Sequence, residues 1–174
     1  MSIIEALLQE FEQEVQTTRR VLERVPADRL AWKPHAKSMS LGQLALHIAM
    51  VPGAVAQMSR QSPVPPPQFI HPEPSSAAEL MPALDQSIRQ VKEVLRGMDD
   101  AALGKTWRVV DGDREVLAMP VGALLRSIML NHWYHHRGQL SVYLREVGVP
   151  VPSIYGPSAD ENPFAVRAAA AAAH

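Results

Sequence analysis

His132-Trp133-Tyr134-His135-His136-Arg137-Gly138-Gln139-Leu140 holds three of the chain's seven histidines within one amphipathic segment. Its apolar spacing predicts a long last helix, from Pro120 at the first turn to about Glu146, stopped by Gly148 and Pro150. His132 and His136 are four residues apart, so one turn of helix puts both rings on the same face. Leu125, Ile128, Gln139 and Tyr143 share that face, which should point inward. Two imidazoles on a core-facing stripe are costly unless something binds them. Neutral imidazole is the commonest protein metal ligand, so a divalent ion is the natural candidate.

Working outward from this helix, three more amphipathic segments precede it. The first runs from about Ile3 to Arg24, with Ile4, Leu8, Phe11, Val15 and Leu22 at helical spacing and Ser2 with Glu5 as a capping box. The second opens at Ser40, with Gln43 as its capping partner. It aligns Leu44, His47, Ile48, Val51, Val55 and Met58, with a kink expected at Pro52-Gly53. The third opens at Ser76 with Glu79 and carries Leu80, Leu84, Ile88, Val91 and Leu95 to Gly97. Asp111-Gly112-Asp113 between Thr106–Val110 and Arg114–Leu117 signals a small hairpin. Residues 61–75 hold six prolines and read as a stiff strap between helices, or as a lid. The expected fold class is all-α: a four-helix bundle over residues 1–164, with a β-hairpin before the last helix and a low-complexity tail at 165–174.

Composition narrows the function classes. The 174 residues carry a net charge of −1, so no basic footprint for nucleic acid or an anionic membrane is present. No uninterrupted apolar run reaches the ~18 residues of a membrane span, and the N-terminus lacks the pattern of a signal peptide, so a cytoplasmic location is expected. There are no cysteines. Any metal must therefore be held by nitrogen and oxygen, and any thiol chemistry must use a thiol supplied by a substrate.

The candidate metal ligands are His47, His132 and His136. His47 lies on the apolar stripe of the second helix, a coincidence independent of the H-x-x-x-H pair. The same three residues are also compatible with packed, metal-free histidines, since such pairs arise by chance. His135, about 100° round the helix from His136, is expected beside the site or at the surface. His35, His71 and His174 are expected to be surface histidines. Gln139 and Tyr143 are candidates to bind substrate or orient a ligand. Arg137 and Trp133 are expected in intrahelical or interface roles. No Asp or Glu lies on the inner faces near these histidines. A bound ion would keep its full +2 charge and strongly acidify a coordinated water or thiol.

The stretch 132–140, followed by Tyr143-Leu144-Arg145, closely resembles the last-helix motif of the DinB/YfiT-like proteins. Trp32-Lys33-Pro34, Ser38-Met39-Ser40-Leu41-Gly42-Gln43 with His47, and Tyr155-Gly156-Pro157-Ser158-Ala159-Asp160-Glu161 are similar to other parts of that family. The resemblance covers about residues 1–164. It implies a four-helix bundle with a three-histidine site that maps onto His47, His132 and His136. It further implies a divalent transition metal (zinc, nickel or iron) and homodimers. The activity implied is that of S-transferases and isomerases using low-molecular-weight thiols such as bacillithiol, mycothiol or glutathione. The family name refers to DNA damage, but the near-neutral charge gives no support for DNA binding. A thiol S-transferase acting on a small-molecule substrate is the leading expectation. A metal-hydroxide hydrolase and a non-catalytic metal- or ligand-binding bundle are the alternatives, and no catalytic residue is singled out.

Overall fold

The computed structural model of the chain describes residues 1–165. All but the first residue of the expected tail, including the polyalanine run and His174, lies outside the described residues. Four long helical stretches form the bundle: α1 (Ile3–Leu22), α2 (Leu41–Met58), α3 (Leu80–Arg96) and the run that ends in α6 (His132–Glu146). A short helix α4 (Asp100–Leu103) and the strands β1 (Thr106–Asp111) and β2 (Arg114–Pro120) intervene before α5 (Val121–Leu124), where the last helical run begins. Helix α2 packs on α3 and α6, and α1 packs on the same two, so α1 and α2 are diagonal across the bundle.

Two of the three expected capping boxes form. Ser2 Oγ accepts from the amide of Glu5 while Glu5 returns to the Ser2 amide, and Ser40 and Gln43 do the same for α2. The third start differs from expectation. Residues Ala77–Glu79 form a 3-10 turn before α3, and the Glu79 carboxylate takes the Ser75 amide at 3.0 Å instead of closing a box on Ser76. The carbonyls of Leu30 and Trp32 accept the Gly42 and Leu41 amides, which satisfies orphan donors at the start of α2. A Cβ on Gly42 would lie 3.0 Å from Pro74 and 3.1 Å from Leu30, which explains the glycine in the Ser40-Leu41-Gly42-Gln43 turn.

Helix α2 runs through Pro52 as one helix. Proline has no amide hydrogen, so the Ile48 carbonyl one turn earlier loses its normal partner. The Trp133 indole takes that place, donating to Ile48 O at 2.8 Å. Trp133 is fully buried and stacks on Phe11 at 5.4 Å, joining α1, α2 and α6 at one point of the core. Gly53 is required for a different reason: a Cβ there would sit 2.8 Å from the Ser87 Cα of α3. Helix α2 also has the length and hydropathy (mean 1.3) of a membrane span, closer to one than its interrupted apolar runs suggest, but 67% of that window is buried inside the bundle. Its apolarity builds the core.

The hairpin forms as expected, one residue further on than the Asp-Gly pair suggests. Asp111 pairs with Arg114, so the two-residue turn is Gly112-Asp113, and Gly112 has φ 59° at the first position, where a type II′ turn needs glycine. Two strands alone are marginal. Here the proline-rich strap supplies a third edge: Val64 donates to Arg108 O and accepts from the Val110 amide. Trp107, buried, donates its indole hydrogen to Met58 O and seats the hairpin on the end of α2.

The last helical run contains an element that residue spacing does not predict. Leu125–Asn131 forms a π-helix between α5 and α6. Its i→i+5 bonding adds a residue per turn and rotates the face that follows. His132 is the first residue after it.

Candidate metal centre

The structure brings His47 of α2 together with His132 and His136 of α6. One ring nitrogen from each lies within 4.8 Å of the others. The Nε2 atoms of His132 and His136 are 2.7 Å apart, and the His47 ring meets those of His132 and His136 with centroids 5.3 and 4.7 Å away. Registration of the two helices explains this placement. His47 and His132 each directly precede a partner of the Ile48–Trp133 hydrogen bond, so that bond sets both histidines at one height.

The nitrogen inventory shows what the cluster lacks. Among the described residues, His47 Nε2 and His132 Nδ1 are buried without a hydrogen-bond partner of normal geometry. Burial, then the neighbouring imidazoles, pushes the His47 pKa down to about 3. Burial likewise lowers those of His132 and His136, against the raising effects of the Ile128 carbonyl and Gln139 respectively. All three rings are neutral at pH 7, which is the ligand form. The described His/Asp/Glu residues that converge here include no carboxylate. Three neutral imidazoles whose ring nitrogens lie within 4.8 Å of one another, in a partly buried site, fit a divalent transition ion.

Gln139 and Tyr143 lie behind His136. Gln139 Oε1 is 2.9 Å from His136 Nδ1, so it accepts that nitrogen's proton and leaves the Nε2 lone pair facing the cluster. Gln139 Nε2 donates to Tyr143 OH at 3.3 Å, and Tyr143 OH donates to Met39 O at 3.4 Å. Trp32 packs edge-on against Tyr143, which ties the Trp32-Lys33-Pro34 turn to the same chain of contacts.

His71 departs from expectation. It is half-buried, not a surface residue, and its ring packs edge-on against His47 with centroids 5.0 Å apart. Its Nδ1 is buried and unpartnered. Gln43 holds this part of the strap by donating to His71 O at 2.9 Å. The strap has no periodicity that would have placed His71 here; the capping Gln43 was its only local signal. His35 and His135 are exposed as expected, and the His135 ring lies 4.9 Å from that of His136.

Arg137 takes the interface role among its expected ones, between α6 and α1. It is 1% exposed and runs to α1, where it pairs with Glu14 and donates to Thr18 Oγ1 at 3.0 Å and Glu14 O at 3.2 Å. It also donates to Tyr155 OH, and Tyr155 OH donates to Glu14 at 3.0 Å. The rings of Tyr134 and Tyr155 cover its guanidinium at 5.2 and 5.1 Å. Asp160 and Glu161 pair with Arg145 and Arg20, so the segment after α6 is fastened over this cluster.

A helical bundle that gathers three neutral imidazoles from two helices defines a class of protein able to hold a metal ion. The chain belongs to the DinB family, whose model matches residues 1–163. It is similar to YrdA, an uncharacterised protein of Bacillus subtilis (strain 168), with 26% identity over 159 residues that cover 91% of each chain. Among solved structures, it resembles a DinB-like protein from Bacillus cereus ATCC 10987 (TM-score 0.70, 23% identity, 88% of this chain and 98% of that one). It also resembles the DinB-like protein YjoA from Bacillus subtilis (TM-score 0.62, 22% identity, 83% and 95%). These structural likenesses establish the fold, a helical bundle with a two-stranded antiparallel hairpin.

Proposed function

We propose that this protein is a metal-dependent enzyme of the thiol S-transferase kind, in which His47, His132 and His136 hold a divalent transition ion. The observation that carries the reading is the convergence of three neutral imidazoles, one of them with a buried Nε2 that no group among the described residues satisfies. When bound, the ion supplies Lewis acidity and lowers the pKa of a coordinated thiol. The absence of a carboxylate among the converging residues preserves the ion's charge for that purpose. Gln139, braced by Tyr143, keeps the His136 proton on Nδ1 and its Nε2 as an acceptor facing the cluster. The chain has no cysteine, so the sulfur comes from a low-molecular-weight cosubstrate. Its S–H proton passes to solvent, sulfur forms a bond to the carbon of an electrophile, and that carbon's bond to the leaving group breaks.

The test uses protein purified without a metal-affinity tag. Elemental analysis should find close to one equivalent of a transition metal; less than about 0.1 equivalent rejects the metal reading. Metal-loaded protein is then incubated with bacillithiol, mycothiol or glutathione and 1-chloro-2,4-dinitrobenzene. Thioether formation with at least one thiol, lost in His136→Ala, is expected. Tight metal binding without turnover replaces the enzyme with a binding bundle. Thiol-independent ester hydrolysis replaces the transferase with a hydrolase.

A further inference from the structure

Two of the three histidines, His47 and His132, border a cavity of about 480 Å³, which is within the range of small-molecule sites. Among the described residues, His47 and His132 are its only ionisable lining residues. Its other walls are apolar: Val51 and Val55 from α2, Leu124 and Ile128 from the last helical run, Val109 from β1, and Phe69 from the strap. The Trp107 indole, which also lines it, has already given its hydrogen to Met58 O. A ligand body in this cavity finds no hydrogen-bonding side chain except the two imidazoles at one end.

The hairpin is shaped for this purpose. In a regular strand, consecutive side chains point to opposite faces. Val116 and Leu117 both line the cavity. A register shift between Val109 and Val110, which pair with Leu117 and Glu115, leaves Val116 as the extra residue of a bulge. The bulge re-aims the strand so that two neighbouring apolar side chains face the same space. The strap supplies Pro66 and Pro67, again consecutive, and at the rim Phe69 is 81% exposed.

We infer that this cavity binds the uncharged, apolar body of the substrate, an alkyl or aryl group, with its reacting atom directed to the histidine end. The inference rests on the enzymatic reading for the direction of the ligand, but the cavity's chemistry stands without a metal. It assigns the cavity to the electrophile. A bacillithiol, mycothiol or glutathione body, rich in charged and hydroxyl groups, would be desolvated here without partners.

The experiment titrates the neutral fluorophore N-phenyl-1-naphthylamine into metal-free protein, then displaces it with n-alkanols from butanol to decanol. Displacement should strengthen about three- to fourfold per methylene until the cavity is filled. Ala54→Phe narrows the cavity and Leu117→Glu places a charge on its wall; both positions are solvent-exposed, so the fold survives. Each should weaken fluorophore binding at least tenfold, with circular dichroism unchanged. Affinity that is flat with chain length, or unmoved by both variants, overturns the inference. A signal that falls as protein concentration rises, with a doubled mass in sedimentation, also overturns it by placing a second copy of the chain on this face. Repeating the titration after zinc loading separates the two readings. Apolar binding without metal uptake sinks the metal centre alone, and metal uptake without apolar binding sinks the substrate assignment alone.

Discussion

Helix α6 carries two polar clusters that begin one residue apart and obey opposite rules. Arg137 turns to α1 and is answered by Glu14, Thr18 and Tyr155, so a charge 1% exposed is neutralised and both its terminal nitrogens are hydrogen-bonded from within the chain, with Nε alone left without a partner among the described residues. His136 turns to α2 and joins His47 and His132, with buried nitrogens left unanswered. Both groups are costly to bury. The first cost is offset inside the protein, which marks a structural cluster. The second is left for something from outside, which marks a site.

The sharpest way to break this contrast is to remove the satisfied partner. Arg137→Ala strands the Glu14 carboxylate and should cost about 3–5 kcal/mol in urea denaturation. The paired change Arg137→Met with Glu14→Gln should recover most of the loss. A loss under about 1 kcal/mol would show that the pair is hydrated and the contrast false.

His47→Ala should behave in the opposite way. Metal-free stability should stay within about 1 kcal/mol, since an unpartnered buried nitrogen is removed with the ring. Zinc affinity, read by competition with a chelating dye, should fall more than about 100-fold, beyond the range of outer-shell changes. Gln139→Leu tests the support behind the site. It removes the acceptor for His136 Nδ1 and should weaken zinc by about 10- to 100-fold, with metal-free stability little changed. An unchanged affinity would mean that His136 needs no external orientation.

The remaining test is the pH dependence of metal-free stability. The folded-state pKa of His47 is depressed to about 3 from 6.5, so between those values the unfolded chain binds the extra proton. Stability should therefore fall as pH drops below about 6.5 and stop responding to this group below about 3. His132 and His136 add in the same direction. Urea midpoints measured across this window should show a shallower slope in His47→Ala than in the unaltered chain; equal slopes would mean that the rings are hydrated when metal-free.

What was legible in the sequence was local. The Ser2/Glu5 and Ser40/Gln43 boxes, the turn around Gly112, and the shared face of His132 and His136 each depend on residues a few positions apart. What was not legible depended on distant partners or on the backbone itself. Arg137 reads no more finely than as an intrahelical or interface residue because Glu14 and Thr18 are more than a hundred residues away. His71 sits in a strap without periodicity, whose course is set by Val64 on β1 and Gln43 on α2. The π-helix is a pattern of backbone bonds that no residue type announces, and it decides which face α6 presents.

The missing amide hydrogen of Pro52 has a consequence for anyone moving this site elsewhere. It frees the Ile48 carbonyl, and the Trp133 indole finds that carbonyl and no other, so two helices far apart in the chain are keyed like a lock at a single axial setting. Three histidines transplanted onto another bundle would carry the teeth without the key. The portable unit is five residues, His47, Pro52, His132, Trp133 and His136, and the proline, which touches no ligand, is the one most easily left behind.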